Sequence, residues 1–471
     1  MYEIFAIVLY FSLLFSYVKL KQKKGLTHID FVIGKRSLNK WTTALAAHAS
    51  DMSNWLFMAY PGAVFVMGGL HIWTALGLIL IMWVNWTFIA PKIRVETEKK
   101  ECITLCGFFE SKLDQNWPSG RILTSIVLFV FYTVYVAAVL CGIGLLLNTL
   151  FHLPHHYGAI IGILLVLPFL LIGGYSTLAQ LDLFQGIFLL CVILFTPLYI
   201  IHHTGGMGAM MASVAQNGRS FSLFGGAGIS SIGGSLLLMF GWGLGYLGQP
   251  HILTKFMGIK NPEEISASKK IGLSWQVISL LAATLVGFVG IAVFNTLENP
   301  ENVFIALVRE FFPPFVSGIF LCAIIAAIIN AMSSMLLVLS TTIAEDFYRR
   351  FSKSVPSEKK QLLVTRLACI LSAVIALTIA LPNFSTIDAL VLFAWSGLGA
   401  SFGPLLIACL FFSRVTKIGA WLGIFSGASI AFFWPILQTN IPALIIAFPV
   451  SLFAIFAASY LFIYEKATIN E

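Results

Sequence analysis

Long apolar stretches alternate along this chain with short polar ones. Thirteen stretches are long enough to cross a bilayer as helices, which takes about 20 predominantly apolar residues. They cover 2–20, 40–67, 70–94, 121–150, 156–174, 181–203, 231–256, 271–294, 313–345, 362–382, 387–412, 416–436 and 442–464. Two connections are longer than the rest. The one at 95–120 mixes Glu and Lys and predicts a short interfacial helix, and the one at 204–230, rich in Gly, Ser and Met, reads as a loop. The pattern predicts an all-α integral membrane protein.

Charge orients these spans. With the N-terminus outside, 26 of the 28 Lys and Arg fall in inward-facing loops, and only Arg219 and Arg309 lie outside. A missed or invented span would scramble that alternation, so the positive-inside rule supports both count and orientation. The net charge of +8 then reflects topology and contact with anionic lipid, and it implies no nucleic-acid partner. With 59% hydrophobic and 10% charged residues, the chain falls far below the roughly 25% charge of soluble domains, so a soluble globule is excluded. Met1-Tyr2-Glu3 lacks a basic n-region and no small-residue cleavage site follows, so the first helix is expected to be retained. The expected location is the plasma (inner) membrane, multi-pass, with a cytoplasmic C-terminus.

Several function classes drop out. No P-loop is present, so ATP does not drive the protein directly. A membrane-embedded enzyme needs a nucleophile–base pair or a metal cluster at depth, and the nine His form none; His155-His156 and His202-His203 sit at the outer edge. A transporter-like sensor stays as an alternative, although such a protein would usually extend into a C-terminal signalling domain and only about seven residues follow the last span. Of the seven cysteines, Cys102 and Cys106 share a loop without zinc-site spacing and read as reduced cytoplasmic thiols. No cofactor and no obligatory protein partner is expected.

One residue carries the chemistry. Asp51 lies inside the second span with no Lys or Arg beside it. An ionised carboxylate at membrane depth costs about 3 kcal/mol on insertion scales, so it requires a partner. A cation from solution would serve, which points to ion-coupled transport. The surrounding Ser50-Asp51-Met52-Ser53-Asn54 is poor helix material in lipid. The seventh span has a comparable weakness: Phe240-Gly-Trp242-Gly-Leu-Gly-Tyr246-Leu-Gly248-Gln249-Pro250-His251 holds four glycines and a proline. A kinked structural helix would carry the same residues. The two segments, however, begin the five-span groups 2–6 and 7–11, so they occupy equivalent places. Transporters bind substrate where helices break near the midplane. Trp242 and Tyr246, four apart, share one face if helix persists between them.

At these segments the chain resembles the sodium/solute symporter family, and within it the sodium/proline symporters. The matching stretches are Arg36-Ser37-Leu38, Ala49-Ser50-Asp51-Met52-Ser53 with Trp55, Pro61-Gly62-Ala63-Val64-Phe65, and Trp242-Gly-Leu-Gly-Tyr246 followed by Gly248-Gln-Pro-His-Ile-Leu253. Glu345-Asp346 with Tyr348, and Ala394-Trp395 through Gly403-Pro404, complete them. The resemblance implies thirteen spans and a leucine-transporter-like inverted repeat. Residues 1–39 would be an N-terminal helix and cytoplasmic loop, 40–203 the first five-helix repeat, 231–412 the second, and 413–471 two C-terminal helices and a short tail. It further implies that Asp51 is the carboxylate needed for sodium coupling. The carbonyls of Ala49, Met52 and Ala327 would be sodium ligands, and Ser53, Trp55, Trp242, Tyr246 and Pro250 would line the substrate pocket.

The sequence departs from the family where it matters. Two hydroxyl positions of the sodium site on the ninth span are Asn330 and Ala331 here. Asn330 offers an amide oxygen to sodium, and Ala331 offers no side-chain oxygen. A family glycine is His48, and a pocket glycine is Asn54, which would reshape the pocket. Histidine ordinarily titrates near neutrality, so His48 introduces proton coupling as a rival; the competing reading is a packing histidine bonded to a neighbouring carbonyl. The expectation is secondary import of a small amino acid-like solute, proline by resemblance, driven by inward sodium.

Overall fold

The computed structural model describes residues 2–21, 27–113, 118–224, 229–352, 354 and 356–468. Lys23, Lys24 and Lys353, counted above as inward charges, lie outside these residues. The chain is almost wholly helical, and among the described residues the only β-type pairing is a single parallel bridge between Leu38 and Ile259. Ten of the described helical stretches are long and apolar enough to cross a bilayer.

The first half runs α1 (Tyr2–Lys21), α2 (His28–Ile33), α3 (Lys40–Met52), α4 (Ala59–Met67), α5 (Ile72–Val84), α6 (Ala90–Lys99), α7 (Leu105–Leu113), α8 (Pro118–Phe151), α9 (His155–His203) and α10 (Gly206–Gln216). Helix α7 is the short helix predicted in the 95–120 connection. The 204–230 connection, expected to be a loop, contains α10. Its Gly and Met content hides a helix whose Met210 and Val214, one turn apart, are buried.

A straight 49-residue α9 would run about 73 Å at 1.5 Å per residue, more than twice the hydrocarbon thickness. It divides at Gly174, whose φ of 63° and ψ of −179° interrupt the helix. Only glycine adopts such a backbone readily. The sequence boundary at 174 coincides with this break. The 175–180 connection expected after it is instead helix from its first residue.

The second half runs α11 (Ile229–Gly243), α12 (Pro250–Met257), α13 (Ile265–Val293), α14 (Val303–Phe311), α15 (Pro314–Thr342), the single turn α16 (Arg349–Phe351), α17 (Glu358–Ala380), α18 (Ile387–Phe411), α19 (Lys417–Phe433) and α20 (Ala443–Thr468). Helix α15 is buried around nearly its whole circumference and packs on α3, α8 and α9. Beyond it, a wide π-type segment, Ile343–Tyr348, carries Glu345 and Asp346.

These acids are paired. Asp346 Oδ1 accepts from Arg121 Nη2 at 2.6 Å, and Glu110 bridges Arg121 and Arg350, each at 2.7 Å. Glu345 meets His28 at 3.2 Å and Arg349 at 3.0 Å, and also accepts from Gln361. Burial raises the cost of charging His28 and lowers its pKa from the usual value, and the carboxylate of Glu345 opposes that shift. The network lines a cavity of about 900 Å³. Beside it, Arg36 donates to the carbonyls of Met257, Thr97 and Cys102 at 2.6–3.0 Å, and Arg94 Nε donates to Ile259 O at 2.6 Å. The end of α12 is thereby tied to α6 and to the Leu38 bridge.

Candidate functional site

The second span breaks at its polar cluster. Helix α3 is capped by Asn39, whose side chain accepts from Thr42 N at 2.9 Å, and it ends at Met52. Ser53 then takes φ 45°, ψ −161°, and its Oγ accepts from Trp55 N at 3.2 Å. A 3-10 turn over Asn54–Leu56 leads to α4. A helix stopping at Met52 leaves the carbonyls of its last turn, Ala49 to Met52, without intrahelical partners. Those of Ala49 and Met52 are two of the oxygens assigned above to sodium.

The seventh span breaks in the same manner. Helix α11 ends at Gly243, a 3-10 turn covers Leu244–Gly248, and extended Gln249 precedes Pro250 at the start of α12. Gly245 is required by close approach: a Cβ there would lie 1.8 Å from Trp395 Nε1. That indole donates to Trp242 O at 2.7 Å, and Asn85 Nδ2 donates to Tyr246 O at 3.0 Å. Side chains from other helices thus take over carbonyls that the broken helix leaves free.

The two breaks meet. Tyr246 Oη donates to Asp51 Oδ2 at 2.5 Å. On the other side of the carboxylate, His251 Nε2 stands 3.8 Å from Oδ1, and Tyr132 Oη bonds His251 Nδ1 at 2.9 Å. Among the described residues Asp51 has no Lys or Arg partner, and Oδ1 is buried without a hydrogen bond. Around this point Asp51, Met52, Trp55, Trp242 and Tyr246, with Leu78, Tyr135, Val391 and Trp395, line a cavity with a free volume of about 20 Å³, room for about one water. Its walls are aromatic: Trp55 and Trp242 lie 5.1 Å apart, and Tyr246 meets Trp395 edge-on at 5.1 Å.

Of the residues assigned to the substrate, Trp55, Trp242 and Tyr246 are brought together here. Ser53, Asn54 and Pro250 are off this lining. Ser53 spends its hydroxyl on the turn. Asn54 packs into space left by Gly142, where a Cβ would come within 1.9 Å of its Nδ2. Pro250 borders a second cavity, beside Lys255, Ser334 and Thr341. Lys255 itself is buried and paired with Asp182 at 2.9 Å.

The cation assignments fall on packed neighbours, because α15 lies against α3. Ala327 and Ala331 are fully buried, and Asn330 Oδ1, Ser333 Oγ and Ser334 Oγ are buried without hydrogen-bond partners. Unpaired buried oxygens of this kind are costly, and they suit a hard cation that takes several oxygen ligands.

His48 is a packing residue, though its partner is not a carbonyl. Its Nε2 accepts from Trp86 Nε1 at 3.2 Å, and the ring lies between Trp86 and Trp275. An indole only donates, so this nitrogen carries no proton, and His48 is off the pocket lining.

Sequence reasoning assigned no role to Tyr135, Gln276 or Asp388. Gln276 Nε2 donates to Tyr246 Oη at 3.1 Å, and Asp388 Oδ1 accepts from Trp55 Nε1 at 3.1 Å. A Gln inside an apolar span was the available signal for the first.

A family model, the sodium:solute symporter family, matches residues 31–427. The chain belongs to the sodium:solute symporter family. It is a multi-pass membrane transporter and not an enzyme. It is 37% identical over 457 residues to the high-affinity proline transporter PutP of Bacillus subtilis (strain 168), covering 95% of each chain. It is 36% identical over 438 residues to sodium/proline symporter 2 of Staphylococcus saprophyticus, covering 91% of this chain and 85% of that one. Among solved structures, a Na+-coupled sialic acid symporter in a substrate-bound outward-open state superposes with TM-score 0.83 at 17% identity, covering 98% of both chains. MhsT in complex with L-phenylalanine superposes with TM-score 0.60 at 12% identity, covering 90% of this chain and 99% of that one. At such identities the structural likeness speaks for the fold of this family member.

Proposed function

We propose that this symporter imports proline together with sodium. The observation that carries the reading is the meeting of the two broken helices at Asp51 and Tyr246, on the wall of an aromatic cavity. A carboxylate with a free oxygen beside unpaired carbonyls attracts a cation. An apolar aromatic box suits the pyrrolidine ring of proline, and a tyrosine hydroxyl suits its carboxylate. Relatives named as proline transporters support the substrate.

Sodium is placed on the carbonyls of Ala49, Met52 and Ala327 and on Asn330, with Asp51 supplying charge nearby. Thirteen passes are proposed, because 54–99 and α9 are each long enough for more than one crossing and the interrupted seventh span adds another. The two breaks, opening residues 40–203 and 231–412, favour a five-plus-five inverted repeat. The charge pattern favours an outside N-terminus in the plasma membrane.

Uptake of radiolabelled proline into proteoliposomes, with sodium and proton gradients imposed separately, tests the reading. Accumulation driven by sodium is expected. Robust accumulation in choline buffer under a proton gradient would overturn the sodium assignment, and failure of proline to compete with other labelled amino acids would overturn the substrate.

A further inference from the structure

Among the described residues, Tyr246 is the one side chain that both bonds Asp51 and faces the cavity. Its hydroxyl carries a single proton and so donates to one acceptor at a time. In this structure that acceptor is Asp51 Oδ2. The lone pairs of the hydroxyl are engaged from behind by Gln276 Nε2 at 3.1 Å. Gln276 lies on α13, fully buried and off the cavity lining, and its own Oε1 has no partner. An amide that donates to the hydroxyl oxygen directs the phenolic proton away from itself, toward the acidic groups in front. Asp51 Oδ1 is meanwhile unpaired and buried, open to a cation.

Building on the reading of this chain as a sodium-coupled proline importer, we infer that the Tyr246 hydroxyl is a shared donor linking cation and substrate, with Gln276 as the positioning residue that aims it. Without cation, Asp51 holds the proton of the hydroxyl, and the substrate carboxylate finds no donor there. A cation beside Asp51 draws on the carboxylate electron density and weakens its claim on the hydroxyl. The hydroxyl then turns to the substrate carboxylate a short distance into the cavity. The bond therefore makes each ligand favour the other, and the coupling is reciprocal. His251, bonded through Nδ1 to Tyr132, stands 3.8 Å from Asp51 Oδ1.

The test measures proline dissociation constants of the purified full-length protein, with sodium and with choline in its place, and takes their ratio as the coupling factor. Tyr246→Phe and Gln276→Leu are each expected to reduce this factor by about tenfold, equivalent to ~1.4 kcal/mol. Sodium affinity measured without substrate, through tryptophan fluorescence, is expected to rise in Tyr246→Phe, because the competing hydrogen bond is gone. A merely structural lesion would not tighten sodium. A third arm needs no variant: proline methyl ester lacks the carboxylate, and its affinity for the unaltered protein should not respond to sodium. Variants with an unchanged coupling factor, or an ester that gains from sodium as much as proline does, would overturn the shared-donor assignment. Equal proline binding by the unaltered protein in sodium and in choline would instead overturn the sodium-coupled reading on which it rests.

Discussion

The indole of Trp55 and the carboxylate of Asp388 meet at 3.1 Å, Nε1 donating to Oδ1. Trp55 stands in the turn after the first break, and Asp388 in the first turn of α18. The start of α18 is itself held from outside the spans, because Glu301 accepts from Asp388 N at 3.1 Å and Ile387 N at 3.3 Å. One wall of the aromatic cavity is thus fixed by a hydrogen bond to a buried carboxyl group. Hydrogen bonds contribute about 0.5–1.5 kcal/mol, and more when the acceptor is charged. Asp388→Ala is expected to raise the KM for proline about tenfold with little change in maximal rate or membrane level. Initial-rate uptake checks this, and an unchanged KM would show that Trp55 needs no such support.

Asp51→Asn keeps the shape of the side chain and removes its charge. The variant is expected to insert normally, while gradient-driven uptake falls on the order of a hundredfold, the upper range for loss of a charged interaction. Sodium titration of the remaining transport provides the check. An unchanged half-saturating sodium concentration would remove Asp51 from the cation site.

In the proposed cation site, Ala331 supplies no side-chain oxygen. Asn330→Ser combined with Ala331→Thr supplies two hydroxyls on α15, the helix that packs on α3. The sodium concentration for half-maximal uptake is expected to fall about tenfold, for a ligand worth ~1.4 kcal/mol. A rise in that concentration would place the cation elsewhere.

Glu301 gives the start of α18 a pH dependence. Burial pushes its carboxyl above the ordinary value of 4.5, and the amides of Asp388 and Ile387 offset that shift in part. For an acid whose folded pKa exceeds its unfolded one, the folded state binds more protons. The stability contribution is therefore present below pH 4.5 and is lost as pH rises through the folded value. Glu301→Gln has no charge to gain. Its Tm relative to the unaltered protein should improve as pH rises from acid to neutral, and a difference independent of pH would contradict this.

The breaks in the second and seventh spans were legible because their cause is local. Ser50–Asn54 and the glycines before Pro250 weaken a helix by their own composition, and each helix ends inside its cluster, at Met52 and at Gly243. The partners of the freed groups were not legible. Asp51 and Tyr246 are 195 residues apart, and Trp55 and Asp388 are 333 apart. Periodicity reports which face of a helix is buried and says nothing about what it faces. The same limit explains His48: an indole 38 residues away donates to its ring, where a neighbouring carbonyl was the expected acceptor. Pro250 and Asn54 illustrate a different limit. Their positions flank the breaks, but a half-turn of backbone decides which of several cavities a residue borders. Helix α10 escaped notice because glycine and methionine obscured its short apolar face.

The cavity at Asp51 has room for about one water, and proline needs several times that space. Proline therefore cannot enter while the walls stand as they do here. A gate has to open first, and in stopped-flow mixing the observed association rate should level off with rising proline instead of climbing in proportion to it. The apparent dissociation constant is then the intrinsic one divided by the fraction of molecules already open. Affinity in this transporter is set by how often the aromatic walls part as well as by what they touch. A substitution that merely loosens those walls, far from any ligand atom, can tighten binding.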